Sequence, residues 1–490
     1  MKSVDLESGV LVSDAGLPQN PSDALSNGDG IDRGRLRRVA PLATLSARAT
    51  GEAAVVGLRG KLTGADPTEF HVRTAERYAE LLGRSKGALM KAGQMLSFAS
   101  VSPAVPAEFQ PIYRKALTQL RDDAPPMAPE LARAMLESEL DRRTESAFAE
   151  FDWEPLAAAS IGQVHAARLH DGREVAVKIQ YPGVADAIRA DLKNAQLLTT
   201  LLSLLASLYT RRPNADMRDA ARDMSGRIVE ELDYRFEAAN QAAFAERYRG
   251  HPFIHVPEVI GELCTDRVLT QELRLGRSWS EALGAEQELR NRWAEAIWRF
   301  MYGSHARFGM INADPHPGNY VFHDDGSVSF LDFGCVQRFR RDQADMAVAI
   351  LRACQRGDVL GTWRACVEVG YWRSSDPVTP EEVFAWWHEP FRYLWDEQPF
   401  TITPEYAAGW IEHRFSPTGR SANALRYLTM QPDCLAWTRI EVAAASVLAE
   451  LHATNDWAAI LAEYQGDAPI TSMGKLDYAY FAEPQVADHA

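Results

Sequence analysis

Cysteine is scarce in this 490-residue chain: there are five, Cys264, Cys335, Cys354, Cys366 and Cys434, with no C-x-x-C pair. That spacing argues against a disulfide framework or a cysteine zinc site, and a reducing compartment fits it. Long apolar runs are also missing. The longest, Leu197–Tyr209, falls short of the ~20 residues that a bilayer demands and reads as a buried helix, with a lipid-contacting helix as the alternative. The first residues, MKSVDLESGVLVSDAGLPQ, lack the basic-then-apolar pattern of a signal peptide, and residues 465–490 are polar. Basic residues are outnumbered, 52 Lys and Arg against 67 Asp and Glu, for a net charge of −15. Duplex nucleic-acid binding needs a basic face, so that class is disfavoured. Apolar residues at 46% and charged residues at 24% then exclude a fibrous or wholly disordered chain.

What is present falls into zones. The opening stretch is rich in Ser, Asp, Gly and Asn, which predicts a disordered tail. A basic cluster follows at Arg33, Arg35, Arg37 and Arg38, read as a solvated helix start or as a contact for anionic lipid. Thr74–Ser97 has helical spacing, with a break near Gly83 and Gly87. The run Pro125–Pro129 marks a boundary. Beyond it, Ala166–Leu169 and Glu174–Gln180 flank Asp171-Gly172 as a hairpin. Helical patterns occupy 184–208 and 217–248, and short strands are expected at Val256–Ile260 and Arg267–Glu272. The rest reads as helical, apart from strands at Tyr320–Phe322 and Val328–Leu331.

Four motifs carry chemistry. Ala157, Ala158, Ala159, Ser160, Ile161, Gly162 and Gln163 form a small-residue run whose backbone N–H groups could approach phosphate oxygens; a helix cap is the commoner source of such a run. Val175-Ala176-Val177-Lys178 ends an apolar strand on a lysine. Such a lysine either reaches nucleotide phosphates or snorkels to water at a sheet edge. In Asp314-Pro315-His316-Pro317-Gly318-Asn319 the spacing is D-x4-N. There the Asp is placed to accept a proton from an attacking hydroxyl or water, and the Asn to hold a metal ion between phosphates. His316 has no partner at metal-ligand spacing and reads as structural. Asp332-Phe333-Gly334 follows a predicted strand, with Asp332 as a Mg²⁺ ligand and Gly334 permitting a backbone turn. Each motif is common alone. Their order points to a bilobal nucleotide-binding fold with metal-assisted phosphoryl chemistry.

With further segments added, the chain resembles the UbiB/AarF atypical kinases, which include the mitochondrial ADCK proteins. Lys91-Ala92-Gly93-Gln94 is similar to that family's KxGQ element. Leu117–Asp122 with Pro125-Pro126 resembles the segment after it, and Ala157–His165 the alanine-rich loop. Glu231-Leu232-Asp233 with Glu237, Ala238 and Asn240 resembles the ExD helix. The resemblance implies an α+β, protein-kinase-like bilobal fold: a small β-containing N-lobe, a large helical C-lobe and an N-terminal helical KxGQ extension. The divisions expected are 1–32 for the tail, 33–129 for the extension, 130–274 for the N-lobe with its helical insert, and 275–490 for the C-lobe.

The resemblance also implies roles. Lys178 contacts ATP phosphates and pairs with Glu237. Lys91 enters the cleft and pairs with Glu231 or Asp233. Asn319 and Asp332 bind Mg²⁺, and Asp314 is the base. Val268–Leu273 supplies the adenine hinge through backbone groups, with Glu272 and Leu273 beside the ring. The activity implied is ATP hydrolysis or phosphate transfer to a small or lipidic acceptor in isoprenoid-quinone (ubiquinone) metabolism. The location implied is cytoplasmic, with peripheral contact at the inner face of the membrane. A nucleotide-responsive scaffold without turnover is the alternative, and a conventional protein kinase a more distant one. Two departures stand out. Asn312 takes the place of the His usual in bacterial members, which implies altered support for Asp314. The paired C-terminal membrane helices of some bacterial members have no counterpart.

Overall fold

The computed structural model describes residues 72–73, 126–159, 161–192, 225–226, 228–339, 341–416, 419–429 and 432–482. Several sequence expectations fall outside these residues: the tail, the basic cluster, the Thr74–Ser97 helices with Lys91 and its KxGQ run, Ser160 and the Leu197–Tyr209 segment.

Helix α1 (Pro129–Leu140) opens the first unit, with Pro at its start where the missing N–H costs nothing. Strands β1 (Glu150–Phe151), β2 (Ala157–Ala159), β3 (Gly162–Arg168) and β4 (Glu174–Gln180) follow. The expected hairpin is present, with Arg168 opposite Glu174 and Gly172 at φ 91°, a left-handed value that glycine tolerates. Its first strand starts earlier than Ala166, and the alanine run is itself a strand. Ala157 to Ala159 pair with Val164 to Gly162. Helix α2 (Tyr234–Arg247) then packs beside the sheet, and β5 (Ile254–His255) and β6 (Val268–Glu272) follow. The strand expected at Val256–Ile260 reduces to one bridge, Val259 with Gln271, because Pro257 has no N–H to give a ladder. The resulting sheet runs β1-β3-β4-β6, with β2 on β3.

Alternation along β4 fixes its two faces. Val175, Val177 and Ile179 are fully buried against Ala132, Met135 and Leu136 of α1. Ala176 and Lys178 therefore lie on the other face.

The second unit is built on α3 (Gln287–Trp298), a π-turn (Arg299–Gly303) and α4 (Ser304–Phe308). Four short strands return the chain past it: β7 (Met310–Asn312), β8 (Tyr320–Phe322), β9 (Val328–Phe330) and β10 (Val336–Arg338). The β7–β10 pair was not legible in the sequence; each strand is only three residues long. Helices dominate from residue 341 onward, closing with α5 (Pro432–Glu450), α6 (Trp457–Tyr464) and α7 (Ser472–Ala482). One continuous core, centred on Trp293, Phe300, Phe322 and Trp457, ties these helices together. The architecture is a kinase-like α+β fold. Among the described residues, no helix is long and apolar enough to cross a membrane.

Candidate active site

Helix α2 begins because Asp233 caps it: its carboxylate accepts the Arg235 N–H at 2.9 Å. Glu237, Asn240, Gln241 and Phe244 then fall on one buried face by helical spacing. The Glu237 carboxylate reaches across to the outward face of β4. Lys178 Nζ donates to both of its oxygens, at 2.8 and 2.9 Å, and to Asp332 Oδ2 at 3.2 Å. These three residues come from a strand, a helix and a loop 154 positions apart at the extremes.

Two carboxylates share one ammonium in this cluster. Burial disfavours the charge on Lys178, but Asp332 and Glu237 outweigh it and hold the ammonium well above its ordinary value. Burial, reinforced by Asp332, pushes Glu237 up to about 7 against the pull of Lys178. Beneath the ammonium lies Tyr234, its ring centroid 4.9 Å from Nζ. Its buried hydroxyl has no hydrogen-bond partner among the described residues. Tyr234 directly follows the Glu231-Leu232-Asp233 run, and no role was expected for it there.

Asp332 is held from three sides. Its Oδ1 accepts the Gly334 N–H at 3.0 Å. Gly334 does not adopt a left-handed backbone, and a Cβ there would meet Asp332 Oδ1 at 3.4 Å and Glu237 Oε2 at 3.6 Å, ordinary contacts, so the donor is one that any residue but proline could supply. Phe333 is fully buried against Phe244 of α2, ring centroids 5.1 Å apart, and its carbonyl accepts from Asn240 at 3.3 Å. Asn312 completes the arrangement. Its Nδ2 donates to the Asp332 carbonyl at 2.7 Å while its Oδ1 accepts the Asp314 N–H at 3.1 Å. The amide thus links the D-x4-N loop to the DFG segment. Asn319 faces the same loop, donating to the Asp314 carbonyl at 3.2 Å and to its Oδ2 at 3.3 Å. The Asn319 carbonyl accepts from Leu331, one residue before Asp332. His316 caps the short turn Pro317–Asn319 through its Nδ1, a structural use.

The donor set suits Mg²⁺. Among the described residues no three His, Cys, Asp or Glu side chains converge as a metal site. Asp332 and Asn319 offer one carboxylate and one amide oxygen. Mg²⁺ prefers hard oxygen ligands and usually draws the remainder from substrate phosphates and water.

The alanine-rich segment requires corrections. Gly162 is glycine for a packing reason, because a Cβ there would sit 2.3 Å from the Ile179 carbonyl oxygen on β4. Gly162→Ala is expected to cost about 1–3 kcal/mol by overpacking, seen as a lower denaturation midpoint in urea; an unchanged midpoint would show that the strands can part freely. Gln163 is 1% exposed, and its side chain turns to the chain before α1. It accepts the Met127 N–H at 2.8 Å and meets His165 Nε2 at 2.8 Å. It therefore ties down the Pro-rich boundary. Ala157 and Ala158 are exposed on β2, with Ala159 half-buried.

The hinge needs correction too. The Glu272 N–H donates to the Glu258 carbonyl and the Leu273 N–H to that of Glu174. Both donors are consumed within the sheet. Glu272 and Leu273 line a cleft of about 780 Å³ with Arg168, Arg249 and His255, and Lys178 is not among its lining residues. Glu231 lies half-buried just before α2, near enough for its charge to raise Glu237. Lys91, its expected partner along with Asp233, lies outside the described residues.

Comparison with known proteins gives the family. Residues 119–364 match the ABC1 atypical kinase-like domain. The chain is 34% identical over 285 residues to atypical kinase COQ8B, mitochondrial, of Rattus norvegicus, covering 58% of this chain and 52% of that one. It is 29% identical over 347 residues to atypical kinase COQ8, mitochondrial, of Saccharomyces cerevisiae, covering 70% and 67% respectively. The chain spans about half the length of the curated relatives it matches. Among solved structures, Rv3197 of Mycobacterium tuberculosis, determined in complex with erythromycin, aligns with a TM-score of 0.55 at 28% identity, over 85% of this chain and 98% of that one. The chain belongs to the ABC1 atypical kinase-like family.

Proposed function

We propose that the chain binds Mg–ATP between its two lobes and moves the γ-phosphoryl group to water or to a small or lipidic acceptor. The observation that carries this is the Lys178–Glu237–Asp332 cluster, joined to Asp314 through Asn312. Lys178, held by Glu237, would neutralise the nonbridging phosphate oxygens. Asp332 and Asn319 would hold the ion, which when bound screens charge on the transferring group. Asp314 would orient the attacking oxygen and take its proton. The backbone of β2, around Ala157–Ala159, would close over the phosphates.

The acceptor class, and a role in isoprenoid-quinone metabolism, follow from the likeness to the family and its COQ8 relatives. The same likeness supports peripheral contact with a membrane or a lipidic quinone precursor. Purified protein with Mg–ATP is expected to release ADP, and Asp314→Asn to release it about 10²–10⁴-fold more slowly, the usual contribution of a positioned proton acceptor. Equal ADP release from both proteins would sink the reading. A nucleotide-dependent rise in melting temperature with no turnover, with or without lipid acceptors, would leave the scaffold alternative instead.

A further inference from the structure

Helix α7 lies beyond the family match, which ends at residue 364, and no part of the chemistry above uses it. It is nevertheless anchored more densely than its length requires. Asp477, 1% exposed, accepts from Arg307 Nη2 at 2.5 Å and from the Tyr464 hydroxyl at 3.3 Å. It also meets His251 Nε2 at 3.1 Å and Arg299 Nη1 at 3.5 Å. Glu295, Glu463 and Thr471 complete the surroundings through Arg299. Two glycines make room for this closeness. A Cβ at Gly474 would lie 2.3 Å from Glu463 Oε1, and one at Gly303, in the π-turn, 2.5 Å from the Tyr464 hydroxyl. Such an interface is shaped to fit and not merely apposed.

The far end of α7 points to a purpose. The Tyr480 hydroxyl lies 3.0 Å from both the Arg247 and the Arg249 carbonyls, at the end of α2 and the turn after it. The Tyr480 ring packs on His251 at 4.6 Å and that of Phe481 on Tyr248 at 5.9 Å. These receiving residues are the last residue of the helix that carries Glu237 and the turn directly after it. A helix transmits displacement along its axis as a rod, and Glu237 sits about 15 Å from Arg247 at 1.5 Å per residue. We propose that α7 is a built-in brace that sets the position of α2, with Asp477 and Tyr480 as positioning residues acting through Glu237 on Lys178.

Hydrogen exchange and Mg–ATP titration of the full chain test this together. Tyr480→Phe removes one hydroxyl at a half-buried site. Amides of residues 234–250 are expected to exchange about three- to tenfold faster, the range that follows from one lost hydrogen bond. Mg–ATP affinity should fall by a similar factor in an otherwise unchanged chain and show no further fall in a Glu237→Gln background. Asp477→Asn should act in the same direction and more strongly; if it does not fold, Tyr480→Phe carries the test alone. Unchanged exchange over 234–250 in Tyr480→Phe would overturn the proposal, and so would an affinity loss that persists undiminished beside Glu237→Gln. Faster exchange in a protein that binds no nucleotide would uphold the brace and overturn the nucleotide reading instead.

Discussion

Lys178→Met is expected to destabilise the nucleotide-free protein by about 3–5 kcal/mol at pH 8, the cost of stranding a buried carboxylate. Glu237 is 4% exposed at its side chain and has Asp332 as a like-charged neighbour. Without the ammonium the two acids face each other in a poorly solvated cleft. Lys178→Met with Glu237→Gln should recover most of the loss, because an amide needs no counter-ion. The pH dependence has a definite sign. Glu237 is raised to about 7 from an ordinary 4.5, so the native state holds a proton that the unfolded chain has released over that window. The stability this contributes is complete below about 4.5 and is lost as pH rises through about 7. Glu237→Gln alone should therefore flatten the stability–pH curve between those values. Urea denaturation at pH 5, 6, 7 and 8 measures all three variants. A Lys178→Met protein as stable as the parent at pH 8 would mean that the cluster is not buried as described.

Arg299→Met should be at least as damaging, again about 3–5 kcal/mol or more, and sufficient to unfold much of the C-terminal region. Arg299 is fully buried, and its guanidinium reaches Glu295 at 2.8 Å, Glu463 at 2.7 Å and Thr471 at 3.0 Å. Arg299→Lys is expected to rescue little, since one compact ammonium cannot reproduce a planar fork that serves three directions at once. Chemical denaturation and the elution volume on size exclusion report both effects. Near-normal stability of Arg299→Met would show that the surrounding acids are protonated and need no cation.

The elements read correctly from sequence were those with a strong local cause. Gly172 and Gly326 sit at the two hairpin turns, at φ 91° and 87°, and the strands beside them follow from alternation. Lys178 was legible because a lysine closing an apolar strand needs an explanation. Other features were hidden because their cause is distant in the chain. Gln163 belongs to a run that looks made for phosphate, yet its partner Met127 lies 36 residues away. Gly162 is required by the close approach of the Ile179 backbone. The Glu272 and Leu273 donors are spent on residues of neighbouring segments, which no pattern in their own stretch announces. The Asn312 amide looked like a departure in a motif, and its two-sided grip is visible only once Asp332 is placed beside it. The π-turn at Arg299–Gly303 leaves no trace in the spacing of apolar residues.

The buried arginine of that turn also sets where this protein can be cut. A fragment ending at residue 364, where the ABC1 domain match ends, would keep Arg299 and Glu295 but lose Glu463 and Asp477. It would also strip Trp457, Ile460 and Met473 from the core they complete. The end of the domain match is therefore not a boundary of the core: the helices after it supply the partners of a buried arginine and part of the same packed interior.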